Sequence, residues 1–283
     1  MAGSEISKVS GNAQALYKLL GFNDKNRNGI IERTSDPDLN EGYDEAADLN
    51  KDEKIVVAEA KYYLQNREDI SPKQKQRFAL TGADLKILLE IVEIIERSDD
   101  KAEAVRKIAS RIIEARLDRN ETSKMLKEAM GTARTIEDPQ CKAETILNIA
   151  SRMAKAKLFE EALAAVRAIK YSDNKAGTIS FIALKMAEAG ADKYEVGKIF
   201  KEALETANVI IDLQYKADAL LEIASNMAKA KLFAEALKTV SPIKYSDNKA
   251  RTVNYIASRM AEAGLDTGEI SNMFKQYGIK PPK

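Results

Sequence analysis

The chain has 283 residues, 45% of them hydrophobic, with 45 Lys and Arg against 44 Asp and Glu and a formal charge of +1. That balance supplies no global field to draw nucleic acid or an anionic membrane. With no His, no Trp and one Cys, imidazole bases, the usual transition-metal ligands and intrachain disulfides are excluded. Any chemistry is left to carboxylates, Lys and Tyr. No window approaches the roughly 20 apolar residues that span a bilayer. Met1-Ala2-Gly3-Ser4 fits an added leader as well as a native start, so a soluble chain is expected, exported after loss of a signal or cytoplasmic.

In chain order, a short helix is expected over Asn12 to Leu20. The stretch Asp24-Lys25-Asn26-Arg27-Asn28-Gly29-Ile30-Ile31-Glu32 then sets oxygen-bearing side chains at alternate positions, with Gly sixth. Another such stretch begins 24 residues on and runs from Asp48 to Glu59, with Asn50 third, Asp52 fifth, Lys54 seventh and Ile55 eighth. Both resemble EF-hand loops. The resemblance implies Ca²⁺, held in the first loop by Asp24, Asn26, Asn28, the Ile30 carbonyl and Glu32, with Asp36 or Asp38 as further donors. In the second, the ligands implied are Asp48, Asn50, Asp52, the Lys54 carbonyl and both oxygens of Glu59. It further implies that Ile31 and Ile55, each at the eighth place, pair the loops.

Two departures from the pattern stand out. Ser35 occupies the closing position of the first loop, and Glu53 replaces the turn Gly of the second. A Cβ held at positive φ costs about 1 to 2 kcal/mol. Only Asp36 to Ala47 lie between the loops, so one short helix near Tyr43 to Ala47 is expected, and AEAKYYLQN is expected as the exit helix. With no Met between Met1 and Met125, the ion is expected to be structural, because opening sensors expose Met-rich grooves.

Ser71-Pro72 reads as an N-cap followed by Pro at the first helical position. This sets the expected division into a calcium-binding head, 1–70, and an array, 71–283. Beyond it, Leu85, Leu88, Leu89, Val92 and Ile95, and later groups, recur at helical spacing, so the expected fold is all-α.

The segment from Ile149 to Ala176 returns almost verbatim from Ile223 to Ala250, an offset of 74 residues, and a diverged copy surrounds Ser98 to Ala102. Each period holds two helix pairs. Ile-Ala stands at 108, 149, 182, 223 and 256, at spacings of 41, 33, 41 and 33. The segments Ile149 to Met153 and Lys157 to Ala162 resemble the two helices of a tetratricopeptide repeat, with Lys157 and Lys231 at its turn Gly. The resemblance covers residues 80 to 275 and implies an α-solenoid, a HEAT-like array being the competing label. Gly190 and Gly264 are expected to end helices. Met153, Met186, Met227 and Met260 are expected in the core, Cys141 as a packing residue, and Ser172 or Asp173 as a helix cap.

The same resemblance implies that the first helix of each pair lines an inner face. Partner contacts then fall on Ser151 and Lys155, Leu184 and Glu188, Ser225 and Lys229, and Ser258 and Glu262, with Ser110 and Glu114 preceding them. Solvation of this face, ion pairs between repeats, or recognition of a mixed-charge peptide are all open on the sequence.

The function expected is a calcium-binding helical-repeat scaffold that docks a protein or peptide, a monomer without enzymatic activity or nucleic-acid contacts. The alternative is a self-assembling repeat protein whose array ends stack. The late Gly-Leu-Asp-Thr-Gly stretch and the polar tail are expected to act as a cap against stacking.

Overall fold

The computed structural model describes residues 13, 15–24, 30–32, 40–41, 43–44, 46–170, 174–244 and 248–281. The protein is all-α, and among the described residues the strands are four short segments, all before residue 57. Internal contacts divide the chain into two compact units, Met1–Thr145 and Ile146–Lys283. The expected head and the first array helices share the first unit.

The head opens with α1 (15–20), followed by β1 (Asn23–Asp24), β2 (Ile30–Glu32), β3 (Asn40–Glu41), β4 (Lys54–Val56) and α2 (Val57–Asn66). Strands β1 and β3 pair antiparallel, as do β2 and β4. Leu16, Tyr17, Phe22, Ile31, Ile55, Leu64 and Phe78 form one buried cluster beneath them. Tyr17 donates its hydroxyl hydrogen bond to the Ile55 carbonyl at 3.3 Å, which ties α1 to β4. The short helix expected near Tyr43 to Ala47 is instead a turn. Asp44 accepts the Ala46 N–H through its side chain at 2.9 Å and the Ala47 N–H through its carbonyl at 2.9 Å, the local competition by which Asp breaks helices.

Helix α3 (Pro72–Arg77) starts as the sequence predicts, with Ser71 and Gln74 forming a capping box and Pro72 at the first position. The rest of the first unit is α4 (Gly82–Glu93), α5 (Ser98–Glu114) and α6 (Arg119–Arg134), which pack on one another, and α2 packs on α4. Here the head is joined to the array. Lys61 pairs with the buried Asp84 at 2.7 Å, and the Arg111 guanidinium donates to the Gln65 carbonyl at 3.1 Å and to Asn66 Oδ1 at 2.8 Å.

Helix α7 (Pro139–Lys155) spans the division between the units. It is followed by α8 (Phe159–Arg167), α9 (Lys175–Glu188), α10 (Lys193–Asn208), α11 (Leu213–Lys229), α12 (Phe233–Val240), α13 (Lys249–Glu262) and α14 (Thr267–Gln276). In the second unit α9, α11 and α13 pack in succession, while α10 and α12 each bridge two of them. This is the neighbour-to-neighbour packing of a helical-repeat array. Ile108, Ile149, Ile182, Ile223 and Ile256 are fully buried, each worth up to about 3 kcal/mol of transfer from water.

The turn that closes each pair is the same device five times. Arg116, Lys157, Gly190, Lys231 and Gly264 all have positive φ, and their spacing is 41, 33, 41 and 33. After the last four, the next residue's N–H bonds back to the carbonyl of Met153, Met186, Met227 or Met260, satisfying a helix-end carbonyl that water would otherwise take. Met153, Met227 and Met260 are buried as expected, and Met186 is half-buried.

A lysine joins successive elements on the opposite side. Lys101, Lys175, Lys216 and Lys249 donate to the carbonyls of Glu93, Arg167, Asn208 and Ser241, each eight residues back. Lys175 and Lys249 also reach the Ile169 and Ile243 carbonyls, the former at 2.6 Å. The expected caps Ser172 and Asp173 lie outside the described residues. Asn174 and Asn248 hold the N-cap positions without a side-chain cap bond.

Candidate functional site

The second loop is built around two buried carboxylates, Asp48 at 3% exposure and Glu59 at 2%. Asp48 accepts the Asp52 N–H at 3.2 Å, the Glu53 N–H at 2.8 Å and the Tyr43 hydroxyl at 2.5 Å. Asn50 Oδ1 accepts the Asp52 N–H at 3.2 Å, and Asp52 accepts the Lys54 N–H at 3.0 Å. The chain therefore winds around its own acidic side chains. Lys51 and Glu53 take φ of 62° and 64°, so Glu53 occupies the left-handed conformation that its loop position requires. The Lys54 side chain is exposed, leaving only its carbonyl to the loop.

Glu59 sits in the first turn of α2 and accepts the Leu49 N–H at 3.1 Å and the Val56 N–H at 2.9 Å. Burial pushes its carboxyl up to about 7, the two backbone bonds oppose that rise, and the Asp48 and Asp52 charges add to it. Among the described residues neither Asp48 nor Glu59 forms an ion pair. Buried acids that lack a cation suit a hard cation in kind. In position they are less gathered: no three acidic side chains among the described residues stand close enough to share one ion.

The two loops meet as the sequence implies. In the β2–β4 ladder Ile31 stands opposite Ile55, flanked by Ile30 with Val56 and Glu32 with Lys54. Asn26 and Asn28, like Ser35, Asp36 and Asp38, lie outside the described residues, as do the side chains of Asp24 and Glu32. The Tyr43 hydroxyl on Asp48 is a contact that the loop pattern gave no means of finding, because Tyr43 precedes the motif.

On the helix faces expected to meet a partner, the structure separates the residues. Leu184 is 2% exposed and belongs to the core, which corrects its assignment as a partner contact. The other copies carry Ser at this place, and its replacement by Leu was the available signal. Ser151 and Ser225 are half-buried and return their hydroxyls to the Leu147 and Leu221 carbonyls at 3.0 and 2.9 Å. Ser258 is exposed and donates to Glu262 at 3.3 Å.

The acidic members of the stripe pair within their own helices. Glu114 meets Arg111 at 2.5 Å, Glu188 meets Lys185 at 2.6 Å, and Glu262 meets Arg259. Each cation lies three residues earlier. Lys155 and Lys229 form no ion pair among the described residues. Partial burial and the charges of Arg152 and Lys185 hold the Lys155 ammonium below the usual lysine range. Lys229 lies over the Tyr255 ring at 5.9 Å.

Cys141 is half-exposed, with its thiol 3.0 Å from Asp99 Oδ1. Hydrogen bonds to Asp99 and Asp138 push the thiol up to about 12, the reverse of what a nucleophile needs. A comparison with protein-family models finds none that matches the chain, and a comparison with curated proteins finds no match either.

Proposed function

We propose that the chain is a non-enzymatic scaffold, with an EF-hand-like head in which Ca²⁺ is structural and a TPR-like array that docks an acidic peptide or protein segment. The observation that carries the calcium reading is the pair of loops joined at Ile31 and Ile55, the second of which encloses Asp48 and Glu59 with no cationic partner among the described residues. Asp48, Asn50, Asp52, the Lys54 carbonyl and Glu59 would hold the ion, which would supply the positive charge that these buried acids lack. The peptide reading rests on the inner face. Its glutamates are neutralised within their helices, whereas Lys155, which forms no ion pair among the described residues, offers positive charge to an incoming carboxylate.

Calorimetric titration of the full chain with CaCl₂ tests the first part. Heat of binding that Glu59→Gln weakens is expected, and no binding heat in the native chain would overturn the reading. An acidic peptide library tests the second: selected binders should lose affinity to Lys155→Glu, and an indifferent variant would remove the inner face from the account.

A further inference from the structure

The turn between α10 and α11, together with the first turn of α11, carries four large apolar side chains in the open. Val209 is 77% exposed, Ile211 94%, Leu213 81% and Tyr215 58%. One period earlier the equivalent residues are Thr135, Glu137, Pro139 and Cys141. The two turns are otherwise built alike. Asp212 accepts the Gln214 and Tyr215 N–H groups just as Asp138 accepts that of Cys141. The earlier copy shows that this corner folds with small or polar residues, so the apolar ones answer to something other than the fold of the turn.

We propose that this corner is the interface through which two copies of the chain associate about a two-fold axis. The first argument is area. Four such side chains at these exposures present on the order of 500 Å² of apolar surface. Two copies joined there bury on the order of 1,000 Å², the lower bound for a specific protein contact. The second argument is charge. A hollow of about 600 Å³ beside Val209, Ile211 and Tyr215 is bordered by Lys170, Lys175 and Asp212, and by Glu202 and Glu205, which pair with Arg167 and Lys201. A border with both signs complements itself when a two-fold axis brings unlike residues together. The corner uses none of the inner-face residues assigned to a peptide partner, so the two readings stand or fall separately.

Sedimentation velocity of the full chain, from micromolar to near-millimolar protein, tests the proposal. The mass should rise from monomer to dimer, in contrast with the monomer expected from the sequence. Val209→Thr with Ile211→Glu, which restores the residues of the earlier copy, should raise the midpoint concentration about tenfold or more at unchanged helical content. In a second test, Ile211→Cys in a Cys141→Ser chain should cross-link two copies under mild oxidation. A native chain that stays monomeric throughout would overturn the proposal, as would a dimer indifferent to these substitutions. A monomer whose corner takes up an apolar fluorescent probe would assign the patch to another partner and overturn it equally.

Discussion

Ile31 and Ile55 stand opposite each other in the ladder between the two loops, and neither exposes any side-chain surface. Each loop is thereby the other's support. Ile55→Ala should cost about 2 to 4 kcal/mol, the transfer loss plus the cavity left behind, read as a lower urea midpoint. A cost below about 1 kcal/mol would mean that the two loops fold independently.

If Ca²⁺ holds the head, chelation should lower its melting temperature. A ligand at about a hundred times its dissociation constant stabilises the native state by roughly 2.7 kcal/mol. Calorimetric scans with and without chelator should differ for the native chain and coincide for Glu59→Gln.

Lys157 and Lys231 each hold φ of 61° at a hairpin turn where Gly190 and Gly264 serve elsewhere. Both lysines are exposed. Lys157→Gly and Lys231→Gly should each stabilise the array by about 0.5 to 1 kcal/mol, raising the melting temperature by roughly 1 to 4 °C. Substitution by Val, which tolerates that backbone badly, should do the reverse.

The lysine that closes each junction is open to the same treatment. Lys175→Met keeps the aliphatic stem but leaves the Arg167 and Ile169 carbonyls without their ammonium donor. A loss of about 0.5 to 1.5 kcal/mol is expected in chemical denaturation.

At Cys141 the prediction concerns pH. Hydrogen bonds to Asp99 and Asp138 raise the folded thiol's pKa, so the folded chain holds this proton more tightly than the unfolded one. The stabilisation is complete below the ordinary thiol value and is lost as pH rises through about 12. Alkylation near pH 8 should run roughly tenfold or more slower than for a free thiol, since only the thiolate reacts, and Asp99→Asn should speed it.

Much of this was legible in the sequence. The 74-residue offset, the Ser71-Pro72 start, the pairing of eighth positions and the lysines in turn-glycine places each follow from local chemistry that leaves little choice. The lysine closures were less accessible. Lys-Ala recurs at 101, 142, 175, 216 and 249, but an ammonium reaches a carbonyl eight residues back only along a path that the tertiary fold decides. The partner face was misread in part for the opposite reason. Aligning Glu114, Lys155, Glu188, Lys229 and Glu262 across repeats drew attention away from the cation three residues before each Glu, a pairing that lies within one helix. Leu184 shows the limit of copying a position between repeats when the side chain itself changes from polar to apolar.

The docking of α2 on α4 bears on how the molecule is put together. A stack of helical hairpins ordinarily leaves its first hairpin with a bare oily flank, and such proteins devote a degenerate repeat to covering it. Here that service falls to α2, locked down by Lys61 on Asp84 and by Arg111 on Asn66. If Ca²⁺ holds the head as proposed, its removal would be felt beyond the head, as fraying that begins at the leading hairpin.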